Sequence, residues 1–263
     1  MGIYVCVLVT YVIYSMIIDM HAHLDQADAF GWTDTPEKLI PLMNGAGIDK
    51  TVVTTYADTP GPGDSLEQLR AWIEEYPDRL IGFPRMDPRW SEAVSIFEDA
   101  VTEHGMRGLK LHPVSNISNP WSDATVELLD KADELDVPVL FHSGDRILSL
   151  PQQIGEAASR TDATLLMGHV GGYFNSREAL IAAREHENVV LESSAFPHVR
   201  VLQEAVAELG AERVVYGSDM PPANPKVELE KIRVLDLTDE QRADLLWRNA
   251  ARLLGLDVEG EVA

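Results

Sequence analysis

A chain of 263 residues with 45% apolar composition can bury one large core on the scale of an α/β barrel. Its 43 Asp and Glu against 21 Lys and Arg, only six of them Lys, give a formal charge of −22, which argues against nucleic acid or an anionic membrane as a partner. A single Cys6 excludes an internal disulfide framework and a cysteine-rich zinc site, so a bound metal needs nitrogen and oxygen donors, and a reducing, cytoplasmic setting fits.

The first eighteen residues carry no charged side chain and are largely apolar. They lack the basic start and small-residue cleavage site of a signal peptide, and the stretch before Met16 is shorter than the roughly 20 residues of a membrane span. The expected beginning of the folded domain is Met16, which leaves residues 1–15 as an extension. A start placed too early explains that extension; an apolar arm or anchor is the rival explanation.

From there apolar, β-branched runs alternate with stretches of helical period. The predicted strands are Ile17–Met20, Thr51–Thr55, Leu80–Pro84, Gly108–Leu111, Val137–Phe141, Thr164–Gly168, Val189–Glu192 and Val214–Gly217. The predicted helices between and after them lie near Pro36–Asn44, Ser65–Glu75, Ser91–Glu103, Ser122–Leu135, Pro151–Ala158, Ser176–Glu185, Val199–Leu209 and Lys226–Val234. Gly45, Gly47, Gly105 and Gly210 are expected as left-handed caps after helices, and Asp64, Ser91 and Ser122 as helix starts. Such alternation predicts a single (β/α)8 barrel over residues 16–263, since each parallel strand needs a crossover and closure removes both sheet edges. A doubly wound open sheet is the alternative. The segment Thr238–Leu256 reads as a closing helix over the barrel bottom or side.

Ligand-type side chains recur where these strands stop: His21 and His23, Lys110 and His112, His142, His169 and Asp219. Residues two apart in a strand point the same way, so His21 and His23 can direct both imidazoles at one ion. His142 is the natural third nitrogen donor. Asp219 ends the strand that neighbours the first in a closed barrel, so it can ligate the ion and also accept a proton from a water the ion activates. His169 is read as an acid/base that polarises a substrate carbonyl, with ligation as the other role. Lys110 is a substrate-carboxylate cation or, if carbamylated, a bridge between two ions; Arg85 is a second anion clamp and His112 a pocket residue. His104 and His186 fall at helix C-termini and are assigned to structure. His198 is at most a pocket residue.

As a set, Asp19-Met20-His21-Ala22-His23, Gly108-Leu109-Lys110-Leu111-His112-Pro113, Phe141-His142-Ser143-Gly144, Gly168-His169, Gly217-Ser218-Asp219-Met220-Pro221 and Asn249-Ala250-Ala251-Arg252-Leu253 resemble the amidohydrolase superfamily. Within it they are similar to the group of metal-dependent decarboxylases, lactonases and hydratases that includes aminocarboxymuconate-semialdehyde decarboxylase. The resemblance runs from Ile17 to about Leu256. It implies a site at the strand C-termini, with His21, His23, His142 and Asp219 on one Zn²⁺ or a similar ion (Mn²⁺ or Fe²⁺) and His169 as acid/base. The expected activity is hydrolysis through a metal-activated water, and the expected substrate is a small carboxylated or carbonyl compound, because the short loops after the second and third strands leave few residues for recognising a large one. Non-oxidative decarboxylation is the enzymatic alternative and a non-catalytic metal-binding barrel the non-enzymatic one. A small molecule is the expected partner, and a homodimer is compatible with the sequence.

Overall fold

The computed structural model describes residues 16–26, 33–59 and 65–258. The expected extension over residues 1–15 and the helix start at Asp64 lie outside the described residues. The strands are β1 (Ile18–His23), β2 (Lys50–Thr54), β3 (Leu80–Gly82), β4 (Leu109–Leu111), β5 (Val139–Phe141), β6 (Leu165–Met167), β7 (Val189–Glu192) and β8 (Val214–Val215). Main helices between them are α1 (Pro36–Ala46), α2 (Ser65–Glu75), α3 (Ala93–Thr102), the short α4 (Pro113–Asn116), α5 (Asp123–Glu134), α6 (Pro151–Ala158), α7 (Ser176–Glu185) and α8 (Val199–Leu209). After β8 come α9 (Pro225–Arg233) and α10 (Asp239–Ala243), the latter running through a π turn at Asp244–Arg248 into α11 (Asn249–Leu253).

All strand pairs are parallel, β1 to β3 in one run and β4 to β8 in another. Two seams join the runs. Lys110 N donates to Pro84 O (2.9 Å) and Met86 N to Lys110 O (3.1 Å) across β3 and β4, while Met20 N donates to Tyr216 O (3.0 Å) and His23 N to Met220 O (2.8 Å) across β8 and β1. The chain is therefore a closed (β/α)8 barrel, and the open-sheet alternative falls.

Side chains alternate between two cores, as the pleat requires. Leu109, Leu111, Val139, Phe141, Leu165, Met167, Val189 and Leu191 face the helices, whereas Val52, Leu140, Leu166, Val190 and Val215 fill the barrel interior. A register shift between Asp19 and Ala22 marks a bulge in β1. Because of it Ile18 and Met20 join the interior cluster while His21 and His23, just beyond, turn to the site. Ala250, Ala251 and Leu254 pack on that cluster together with Met16, so the closing helix covers the bottom of the barrel. Asn249 fixes it there, its side-chain amide donating to Ala211 O (2.8 Å) and Val214 O (3.0 Å).

Several boundaries differ from expectation for local reasons. Gly45 lies inside α1, and only Gly47 takes the left-handed cap (φ 75°). Ser91 precedes the N-cap of α3, which is Glu92, whereas Ser122 caps α5 by accepting from Thr125 N (3.3 Å). The strand predicted to reach Gly168 stops at Met167 because the chain enters a tight turn in which His169 and Val170 have φ of 60° and 44°.

Candidate metal centre

Each expected site residue stands at the C-terminal end of a strand or in the loop that follows it, the face where barrel loops converge. All but the fully buried His21 line a cavity of about 630 Å³ bounded by His23, Tyr56, Arg85, Lys110, His112, Val114, Ser115, His142, Arg146, His169, Asp219 and Pro222.

At its floor, ligand atoms of His21, His23 and Asp219 all lie within 4.8 Å of one another. Asp219 Oδ1 accepts from His23 Nε2 at 3.0 Å and is 3.7 Å from His21 Nε2. Asp219 reaches this position with a positive φ of 57°, its N–H bonded to His21 O (2.7 Å), so β1 and the β8 loop fix each other. Burial opposes the Asp219 charge, but the His23 hydrogen bond and the surrounding imidazoles hold its carboxyl well below the usual carboxylate range. Burial and the Lys110 charge push His21 well below the ordinary histidine range, and burial lowers His23 as well. Two neutral imidazoles and one carboxylate are the protonation states that coordination requires.

The chemistry of the donors tests the fit of an ion: two imidazoles and one carboxylate converge, with His23 Nε2 and His21 Nε2 both on Asp219 Oδ1, while the unpartnered His23 Nδ1 lies on the other edge of its ring. The donor set therefore fits a divalent ion with a preference for nitrogen and oxygen. Lys110 Nζ already stands 2.9 Å from His21 Nε2, and burial together with Arg85 brings this lysine down to about 7. A cationic group thus sits beside the converging donors.

The other expected residues divide. His142 is not among the side chains converging on Asp219; its Nδ1 lies 3.2 Å from His169 Nε2, and its ring stacks on His112 at 3.9 Å. His112 caps α4, its Nδ1 accepting from Ser115 N (3.2 Å), and burial holds it down to about 2, so it lines the cavity as a neutral ring. Arg85 is fixed by Asp58 (2.8 Å) and by Ser115 Oγ (2.7 Å) and presents its remaining edge to the cavity. His198 is the N-cap residue of α8, bonds Tyr173 O (3.0 Å) and is outside the cavity lining.

Four residues not singled out from the sequence belong to the site. Glu192 at the end of β7 is fully buried against His21, with Ser194 Oγ beside both. Tyr56 stacks on His23 at 4.7 Å and donates to Asp34 (3.0 Å). Arg146 adds a third cation to the cavity wall. For Glu192 the signal was present: Val-Val-Leu-Glu places an acid at the same strand-end position as the histidines.

The fold is that of known enzymes. Over 93% of this chain and 100% of the other, it superposes on 5-carboxyvanillate decarboxylase from Sphingomonas paucimobilis with a TM-score of 0.74 at 12% identity. A dihydroxybenzoic acid decarboxylase from Polaromonas sp. JS666 with bound manganese matches at 0.73 and 16% identity, over 95% and 99% of the two chains. A probable 2-pyrone-4,6-dicarboxylic acid hydrolase from Acinetobacter baumannii matches at 0.69 and 15% identity, over 91% and 99%. No curated protein matches the sequence. The sequence profile of the amidohydrolases does match, over residues 18–256, and the chain belongs to the amidohydrolase family of enzymes.

Proposed function

We propose that the protein is a metal-dependent hydrolase acting on a small carboxylated carbonyl compound such as a lactone, ester or amide. The observation that carries this reading is the ionised Asp219 between two neutral histidines at the floor of a cavity whose wall holds Arg85, Lys110 and Arg146. His21, His23 and Asp219 would hold the ion, with His142 as the fourth donor to which the sequence points. Zn²⁺ suits these donors, and Mn²⁺ and Fe²⁺ satisfy the same set. When bound, the ion supplies Lewis acidity, polarising a carbonyl and making water acidic enough to be a nucleophile near neutral pH.

The chain's own residues do the rest. Asp219 would accept the proton of the attacking water; its lowered pKa keeps it in the ionised, accepting form while making it a weak base, so the step also needs an acidified water. His169, in the cavity wall, would serve as the acid/base to which the sequence points, and Arg85 and Lys110 would hold a carboxylate of the substrate. Arg85 and Arg146, joined by Lys110 in its protonated form, favour retention of that carboxylate, whereas loss of CO₂ is helped by a less polar surrounding. The reading carries a small-molecule partner and a cytoplasmic location. Among the described residues no helix is long and apolar enough to cross a membrane.

Turnover in H₂¹⁸O separates the reactions. Hydrolysis of a panel of carboxylated lactones and esters is expected to place one ¹⁸O in the product without CO₂. Release of CO₂ from an aromatic or unsaturated acid, with no solvent oxygen in the organic product, would replace this reading by decarboxylation.

A further inference from the structure

We propose that Glu192 and Ser194 are positioning residues that set the tautomers of His21 and His169, and so decide which nitrogen of each ring is free to act in the site. Glu192 is fully buried and surrounded by donors: Ser194 N to Oε1 at 2.6 Å, and Ser194 Oγ (2.8 Å), His21 Nδ1 (2.9 Å) and His169 N (3.4 Å) around Oε2. Burial raises the Glu192 pKa, but the backbone N–H groups of Ser194 and His169 and the Ser194 hydroxyl all donate to it, and as a carboxylate it only accepts hydrogen bonds. The Ser194 hydroxyl proton is therefore committed to Glu192, and Ser194 Oγ has only lone pairs left for His169 Nδ1, 3.0 Å away.

Both rings are then constrained in the same sense. His21 must carry its proton on Nδ1, leaving the Nε2 lone pair to accept from Lys110 Nζ (2.9 Å) on the side of Asp219 Oδ1, 3.7 Å distant; Lys110, as a donor, supports the same tautomer. His169 must also be protonated on Nδ1, where Ser194 O at 3.3 Å is a second acceptor. Its Nε2 lone pair then meets His142 Nδ1 at 3.2 Å, which makes that atom the donor and leaves His142 Nε2 unprotonated. One carboxylate thus aligns three imidazoles.

The surroundings hold this pair in place. A Cβ on Gly217 would stand 2.1 Å from Glu192 Oε1, so the bare backbone there makes room for the carboxylate. From α9, Lys231 Nζ donates to Ser193 O (3.0 Å) and Phe196 O (2.7 Å), and Glu228 accepts from Ala195 N (3.0 Å). Ser194 is pinned on both sides by these bonds. His21, His169 and Glu192 also bring ligand atoms within 4.8 Å of one another, but the Ser194 hydroxyl lies within 3.2 Å of all three and fills the space an ion would need.

The tautomer assignment stands independently of the metal-dependent reading; its effect on affinity rests on that reading. Imidazole ¹⁵N spectra of the metal-free full chain at pH 8 are expected to show His21 and His169 protonated on Nδ1, and Ser194→Ala to release His169 into a mixture of tautomers. Nε2–H rings at both positions in the unsubstituted protein would overturn the proposal whether or not any variant folds. Zn²⁺ affinity, measured by chelator competition on Glu192→Gln, is expected to fall by about 10–100-fold, the usual effect of losing a carboxylate behind a histidine ligand. Unchanged affinity in a folded Glu192→Gln protein also overturns it. So do two Zn²⁺ per chain with one lost in that variant, since Glu192 is then a ligand. If the unsubstituted protein takes up no divalent ion, the proposed function fails while the ring spectra still decide the tautomers.

Discussion

Asp219 illustrates how a single side chain can be read twice. In the sequence it is an acid before two prolines at the end of an apolar run; in the structure it is the carboxylate on which His23 and His21 converge. Its lowered pKa keeps it ionised throughout the neutral range, and an amide cannot take a proton in its place, so Asp219→Asn is expected to lower kcat by about 10²–10⁴-fold, the span of general-base catalysis, even where metal is retained. Near-normal turnover by that variant, loaded with metal, would remove Asp219 from the chemistry. His21 and His112 separate ligation from lining. His21→Ala should emerge from purification without its divalent ion and His112→Ala with it, by elemental analysis, and the reverse would transfer the ligand role to the other ring. The first strand's His-x-His pair was legible because strand period alone aligns two such rings. The place of His142 was not, because its ring stacks on His112 and meets His169, contacts made across other strands that strand period does not encode.

At the level of elements, helices α2, α6, α7 and α8 have the bounds that periodicity predicts, because each shows a full apolar face that only helical spacing produces. Strand ends were less legible. The β1 bulge and the left-handed turn at His169 depend on neighbouring strands rather than on local propensity, and both aim side chains at the site. The α9 contact with the β7 loop was likewise invisible, since Lys231 and Glu228 read as an ordinary surface pair three residues apart. Both are buried, and Lys231 also satisfies two carbonyls. Lys231→Met leaves a buried carboxylate and those carbonyls without their cation, a loss of about 3 kcal/mol. On a chain of this size that corresponds to a drop in Tm of roughly 6–12 °C. Lys131→Met removes the pairs that the partly buried Lys131 makes with the exposed Glu98 and Glu134 and should stay within about 1 kcal/mol. Equal effects of the two substitutions in thermal melts would refute the distinction between the buried and the solvent-facing pair.

For the molecule as a whole, the barrel was legible because its signal is repeated along the chain and survives errors at any one strand, whereas the charge of −22 has no bearing on which fold forms. It does bear on stability. Arginines pair with acids on the outer helices, as at Arg160–Glu156, Arg177–Glu204, Arg200–Glu204 and Arg184–Glu208, yet 43 acidic side chains against 21 basic ones leave a large unpaired excess. Folding concentrates that excess on a compact surface. Exposed ion pairs contribute only about 0–1 kcal/mol each, so screening them away costs little, while screening the repulsion relieves every acidic neighbour at once. At 0.1 M salt the Debye length is about 10 Å, which leaves adjacent helices in electrostatic contact; at 1 M it is about 3 Å. Raising KCl from 0.1 to 1 M is therefore expected to increase Tm by several degrees, and acid-to-amide substitutions on the outer helices should reproduce part of that gain at low salt. A melt that ignores KCl, or falls with it, would show that attraction and repulsion on this surface already balance and that the acidic coat serves something other than tolerance of salt.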